Sequence, residues 1–380
     1  MFEQHPRLTT LMLALVSAGA TDLAVAHAYA AFWARHHAPP KPAAPPFRIQ
    51  SQIFHHGFGP LWNDTNRWGP RAYPFVTNSL GFLDATPRVV SLAPEGRRIV
   101  FIGDSFTEGV GLPYARSFVG LVDAALRPQG ISVLNASALS YSPIIYLRKL
   151  KYFLEDVGLR CDEVVVFLDL SDIQDEVIYR FDERGDVVWD EARKAREDEA
   201  NRQYGAEPLT DQDKADGLEG LLARHTFAAS YAYQWTKLRL AWLTLRNQTG
   251  RRRALWTLEP ELYEAFGREG LERAREHMDQ LRELLVGHGI RLTLAVYPWP
   301  DQIVRADLDS RQSRFWRSWA AEHDVDFIDY FPHFVVPGAG RAVVRRYFIP
   351  GDVHWNEAGH GLVAQVFLED EARRHGSAPR

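Results

Sequence analysis

Between Glu163 and Leu170, the residues Val164, Val165, Val166, Phe167 and Leu168 follow one another without a polar break. An apolar run of that length, rich in β-branched residues, reads as a strand buried on both faces, as in a parallel sheet covered by helices. Ile99-Val100-Phe101-Ile102 within Arg98 to Gly103 repeats the signal, as do Ile131 to Leu134, Arg291 to Tyr297 and Val325 to Ile328. Between these runs apolar residues recur at helical spacing. They are Phe118, Val122, Ala125 and Leu126; Ile144, Leu147, Leu150, Leu154 and Val157; Leu271, Ala274, Met278, Leu281 and Leu285; and Leu362, Val363, Val366 and Phe367. A further helix is expected around Phe315 to Ala321, and the last one over Ala358 to Leu368. Strands alternating with helices predict a three-layer α/β/α domain around a parallel sheet.

Composition narrows what such a domain can do. Lys and Arg total 44 against 49 Asp and Glu, a net charge of −5, so no excess of positive charge draws the chain to nucleic acid. The single cysteine, Cys161, excludes an intrachain disulfide and a thiolate metal cluster. Neither Gly-x-Gly-x-x-Gly nor a phosphate-binding Gly-x-x-x-x-Gly-Lys loop is present, so no nucleotide cofactor is expected.

The 380 residues suit one large domain with insertions, or two domains. Residues 1–37 read as a signal sequence or N-terminal membrane anchor. Leu8 to Thr21 is uncharged and mostly apolar, with Arg7 before it and Asp22 after, and Ala26-His27-Ala28 offers a small-x-small cleavage site. Extended through Trp33 the stretch is long enough to span a bilayer, carrying Asp22 and His27 into lipid. Both readings imply export, to the periplasm or as an inner-membrane anchor; an ordinary amphipathic helix is the reading that does not. Residues 38–46, A-P-P-K-P-A-A-P-P, form an extended spacer. A lead-in over 47–97 clusters aromatics and histidines between Phe54 and Tyr73 without periodicity, then turns at Thr77-Asn78-Ser79-Leu80-Gly81-Phe82. The main domain runs over 98–375, interrupted at about 179–289 by a helical insertion. Its first part, through Gly220, is polar and lacks a strand signal. Its second holds Tyr231, Tyr233, Trp235, Leu238, Leu240, Trp242 and Leu243 before Arg251-Arg252-Arg253: an amphipathic helix on the core, or a lid or membrane-facing surface.

Ser105 lies at a strand-to-helix turn, where a hydroxyl projects from the carboxyl edge of a parallel sheet. A hydroxyl needs a base to act as a nucleophile, normally a histidine held by a carboxylate. Asp352 and His354, in a loop before the last helix, supply such a pair, though an Asp-x-His could also be a metal fragment or a helix cap. Taken together, Gly103-Asp104-Ser105-Phe106-Thr107-Glu108-Gly109 and Asp352-Val353-His354-Trp355-Asn356 resemble the first and last signature blocks of the SGNH/GDSL hydrolases, over about Arg98 to Phe367. Thr77 to Asp84 is similar to a lead-in of bacterial members.

The resemblance implies a flavodoxin-like sheet and an ester hydrolase with Ser105 as nucleophile, His354 as base and Asp352 as its partner. It implies an oxyanion hole from the Ser105 backbone N–H, the N–H of Ser140 where the family has glycine, and Ser171 where it has asparagine. Serine is shorter than an amide side chain, which puts the third donor in doubt. Asp-x-His-Trp also resembles the catalytic pair of polysaccharide O-acetyltransferases, which turns the expected substrate toward acetyl or short acyl esters on small molecules or glycans. A degenerate glycan-binding domain is the non-catalytic alternative. Oligomeric state is not legible.

Trp299 and Gln302, at the end of a predicted strand, are expected to line the pocket with Asp104, Asp172 and Trp355. Asp104 and Glu108 read as helix N-terminal caps. His36-His37, His55-His56 and His360 lack partners at metal spacing and read as structural or exposed, so no metal is expected.

Overall fold

The computed structural model describes residues 6–36, 47–69, 71–204, 218–245 and 248–376. They form two compact units, Met1–Pro46 with Glu207–Arg246, and Phe47–Ala206 with Asn247–Arg380. The spacer 38–46, His37 and the middle of the insertion fall outside the described residues, as do the side chains of His36, Leu238 and Trp242.

The larger unit opens with two antiparallel hairpins, β1 (Arg48–Ser51) with β2 (His55–Phe58) and β3 (Asn63–Trp68) with β4 (Arg71–Val76). The sheet follows: β5 (Arg98–Gly103), β6 (Ser132–Asn135), β7 (Glu163–Leu168), β10 (Arg291–Val296) and β11 (Asp326–Asp329), in the order β11-β10-β7-β5-β6, every pair parallel. All residues of β5 and β7 are buried, which is why those two segments carry the longest apolar runs. The helices Phe118–Leu126 and Glu357–His375 pack together, as do Pro143–Lys151 and Arg268–Gly287. The three-layer α/β/α architecture is therefore present, with each expected strand within a few residues of its place.

Two segments differ from expectation. The lead-in, where only the turn at 77–82 was expected, also holds two hairpins: their strands are short, and β3 is mostly exposed, so no apolar alternation marks it. Within the insertion, β8 (Tyr179–Phe181) pairs antiparallel with β9 (Val187–Trp189) where no strand was expected. Three-residue strands are too short to show a period. Residues 179–289 also contribute to both units rather than forming one body.

From β5 the chain crosses to β6 on one side, and β7, the central strand, lies on the other. Loops diverge at such a switch point and leave a crevice at the strand carboxyl ends. The turns after β5, β7 and β10 meet there.

Candidate active site

β5 ends at Gly103, where a side chain has no room: a Cβ would come within 2.3 Å of Thr107 Oγ1 and 2.9 Å of the Phe167 carbonyl. The tight turn this permits puts Asp104 at the cap of the helix Ser105–Glu108, its Oδ1 accepting the Phe106 N–H at 2.9 Å. Ser105 opens that helix and is buried at 4% exposure.

His354 reaches this serine from the far end of the chain. Its Nε2 lies 2.8 Å from Ser105 Oγ, and its Nδ1 lies 2.6 Å from Asp352 Oδ1. With the ring proton on Nδ1 facing the carboxylate, Nε2 is the acceptor for the serine hydroxyl. Asp352 Oδ1 also accepts the His354 backbone N–H at 3.1 Å, and Oδ2 accepts Trp68 Nε1–H at 2.7 Å. Burial alone would raise the Asp352 carboxyl, but the His354 charge and hydrogen bond, the Trp68 N–H and the His354 backbone N–H outweigh it and hold the group well below the usual carboxylate range. The imidazole is packed between the Trp68 ring edge, 5.2 Å between centroids, and Phe106 at 4.8 Å. Trp68 ends β3 in the lead-in, 284 positions from Asp352, and sequence reasoning did not single it out.

A second group of carboxyls borders Ser105. Asp104, Asp169 and Asp172 bring oxygens within 4.8 Å of one another, all buried. Ser105 Oγ lies 3.0 Å from Asp104 Oδ2, Tyr297 donates to Asp104 Oδ1 at 3.2 Å, Trp299 Nε1 donates to Asp169 at 2.8 Å, and Tyr146 donates to Asp172 at 2.7 Å. Among the described residues, Asp172 Oδ1 has no hydrogen-bond partner. Burial first, and then the neighbouring carboxyls, push Asp104 and Asp172 well above the ordinary carboxylate range. Carboxyls this close cannot all ionise, so protons stay in the group. The Ser105 hydroxyl therefore has two acceptors within reach, Asp104 Oδ2 at 3.0 Å and His354 Nε2 at 2.8 Å.

The oxyanion positions are unevenly furnished. Ser140 has φ 59°, the left-handed backbone that glycine adopts most easily, which suits a position where glycine was the expectation. Among the described residues, neither the Ser105 nor the Ser140 backbone N–H donates to another protein group. The Ser171 N–H is taken by Asp169 Oδ1, and no hydrogen bond joins Ser171 to Ser105 or His354.

Other expected site residues are placed elsewhere. Gln302 is fully buried and donates to the Ala254 carbonyl (2.7 Å) and Thr257 (2.9 Å), tying two helices together rather than lining a pocket. Trp355 is a core residue, stacked on Phe334 and packed against Phe106 and Tyr297. Trp299 is buried beside Phe106 with its N–H on Asp169, at the floor of the carboxyl group. Glu108 is not a cap: it pairs with Arg48 at 2.6 Å and accepts the Leu139 N–H at 2.7 Å, joining the lead-in to the turn that carries Ser140. His360 accepts the Phe118 N–H at 3.1 Å, and burial lowers it to about 3. His55 and His56 bond to each other at 2.7 Å, and His56 also to the Leu139 carbonyl at 2.7 Å.

No family model matches this chain, and no curated protein matches it. Solved structures similar to it include the acetyl xylan esterase AlAXEase, at 14% identity and TM-score 0.39 over 72% of this chain and 98% of that one. A GDSL-like lipase from Bacteroides thetaiotaomicron matches at 12% identity and TM-score 0.36 over 73% and 89%. The psychrotrophic esterase EstA from Pseudoalteromonas sp. matches at 11% and 0.37 over 74% and 100%.

Proposed function

We propose that this chain is a serine esterase of the SGNH/GDSL type that cleaves acetyl or other short acyl esters. The observation that carries the reading is the relay of Asp352, His354 and Ser105, with spacings of 2.6 and 2.8 Å between side chains from opposite ends of the domain. In the proposed reaction Ser105 Oγ attacks the acyl carbonyl carbon as its proton passes to His354 Nε2. The carbonyl oxygen takes the negative charge and is met by the Ser105 and Ser140 N–H groups. Collapse expels the alcohol, which takes the proton from His354 and leaves the acyl group on Ser105. Water then attacks this ester, His354 again takes and returns the proton, and the acid departs. Asp352 keeps the imidazole in the working tautomer and balances its transient charge. Ser171 Oγ is the candidate for a third donor beside these two backbone groups, and one such donor is worth about 2.7 to 4 kcal/mol. The low exposure of Ser105 favours a small acyl group.

Transfer to a sugar hydroxyl in place of water is a second reading, and Asp352-Val353-His354-Trp355 is the feature that favours it. The N-terminal helix Pro6–His36 contains a stretch, Arg7–Phe32, long and apolar enough to cross a membrane, which supports an exported enzyme tethered there. The test supplies p-nitrophenyl acetate with and without oligosaccharide acceptors. Free acetate in both cases is the expected result, and acetylated sugar would move the assignment to transfer. Full activity in Ser105→Ala would overturn both.

A further inference from the structure

We propose that the helix Ala228–Thr244 of the insertion belongs to the membrane anchor, held in lipid against the N-terminal helix by Asp22. The inference rests on reading that N-terminal helix as a membrane span. Leu8, Leu11, Leu13, Leu15 and Val16 all point outward from it, and its apolar stretch has a mean hydropathy of 1.6. Asp22 lies about 21 Å along the helix from Leu8 at 1.5 Å per residue, inside a hydrocarbon layer about 30 Å thick. A carboxylate at that depth must find its donors in the protein, because water is absent.

It finds them at one helix end. The backbone N–H groups of Phe227 (2.9 Å), Ala228 (2.8 Å) and Ala229 (3.0 Å) all donate to Asp22. These are opening donors of the helix Ala228–Thr244, which a helix cannot satisfy internally. A local side chain normally caps them. Here Thr226 turns its hydroxyl back to the Leu222 carbonyl at 2.9 Å, and the cap comes from 205 positions away. In lipid, a lone carboxylate and an uncapped helix end would each be costly; joined, they satisfy one another. His27 stacks on His225 at 5.4 Å and Tyr29 meets Phe227 edge-on at 5.1 Å, which extends the contact C-terminal to Asp22 along the N-terminal helix.

The outward face of the insertion helix has matching chemistry. Tyr231 and Trp235, one turn apart, are 74% and 60% exposed, and Lys237 and Arg239 follow. Aromatic and basic side chains together mark the boundary between hydrocarbon and headgroups. The occupant of this face is therefore a phospholipid bilayer.

The experiment uses the full chain in phospholipid nanodiscs, with Cys161→Ser as background and a single cysteine at Trp235→Cys or, as an exposed control, Glu183→Cys. Maleimide labelling at 235 should be at least tenfold slower than at 183 in the bilayer, and should rise at least tenfold when Asp22→Leu is added. Asp22→Asn, which keeps a capping oxygen, should preserve the protection. Labelling at 235 as fast as at 183 overturns the proposal, and so does protection unchanged by Asp22→Leu. Protection that persists in detergent with a doubled mass assigns the face to a second copy and overturns the lipid assignment. Carbonate extraction separates the two levels. A chain released by carbonate refutes the span and the inference together, whereas a retained chain with an exposed position 235 refutes the inference alone.

Discussion

On one flank of Ser105, Asp352 receives donors from His354 Nδ1, the His354 backbone and Trp68, and stays charged. On the other flank, Asp104, Asp169 and Asp172 crowd within 4.8 Å, and among the described residues no basic side chain forms an ion pair with any of them. The Arg253 guanidinium, whose charge acts on Asp104, is bound to Asp175 at 2.7 Å. The same residue type thus stands on both sides of the nucleophile with its carboxyl shifted in opposite directions, lowered beside the imidazole and raised beside the hydroxyl. Environment, not residue identity, assigns the roles.

The sharpest way to break this contrast is to make the same substitution on each flank. Asp352→Asn forces the wrong imidazole tautomer and should lower kcat by about 10⁴-fold, whereas Asp104→Asn mimics the neutral acid and should cost less than about tenfold, the worth of one ordinary hydrogen bond. Steady-state hydrolysis of p-nitrophenyl acetate by the two variants decides it; equal losses would erase the distinction. Trp68→Phe keeps the ring and removes the donor to Asp352. A hydrogen bond to a charged group is worth about 1.5 to 3 kcal/mol, so kcat should fall about ten- to a hundredfold with KM little changed. The acid limb of the pH profile should move upward, because a less satisfied carboxylate holds the imidazole proton more tightly. A purely structural role for Trp68 would leave that limb in place.

Stability provides the smallest effect. Asp172 is pushed up in the folded state, so it keeps a proton there that the unfolded chain releases near pH 4, its ordinary value being about 3.9. Stability therefore declines as pH rises above about 4. Asp172→Asn should flatten that decline, with its midpoint in urea exceeding that of the parent by more at pH 8 than at pH 5. A pH-independent difference would mean that Asp172 is ionised in the fold.

These contrasts also separate what the amino-acid order reveals from what it hides. Ser105, Asp352 and His354 are legible because a nucleophile at a strand-to-helix turn and an Asp-x-His before a last helix are local patterns. The buried strands are legible because Val164 to Leu168 leave no polar face. Trp68 is hidden: its hairpin has no periodicity, and its contact closes across 284 positions. Asp104 looks like a helix cap, and it is one, but the upward shift of its carboxyl comes from burial and from Asp169 arriving at another strand end. Gln302 misled for the same reason, since a residue at a strand's end can turn into packing as readily as into a crevice.

The most direct test of the central claim is covalent labelling with a serine-directed fluorophosphonate, followed by mass mapping of the labelled peptide. One adduct, on Ser105, is expected in the parent chain, and its loss in His354→Ala. An unlabelled parent, an adduct on another serine, or undiminished labelling without His354 would contradict it.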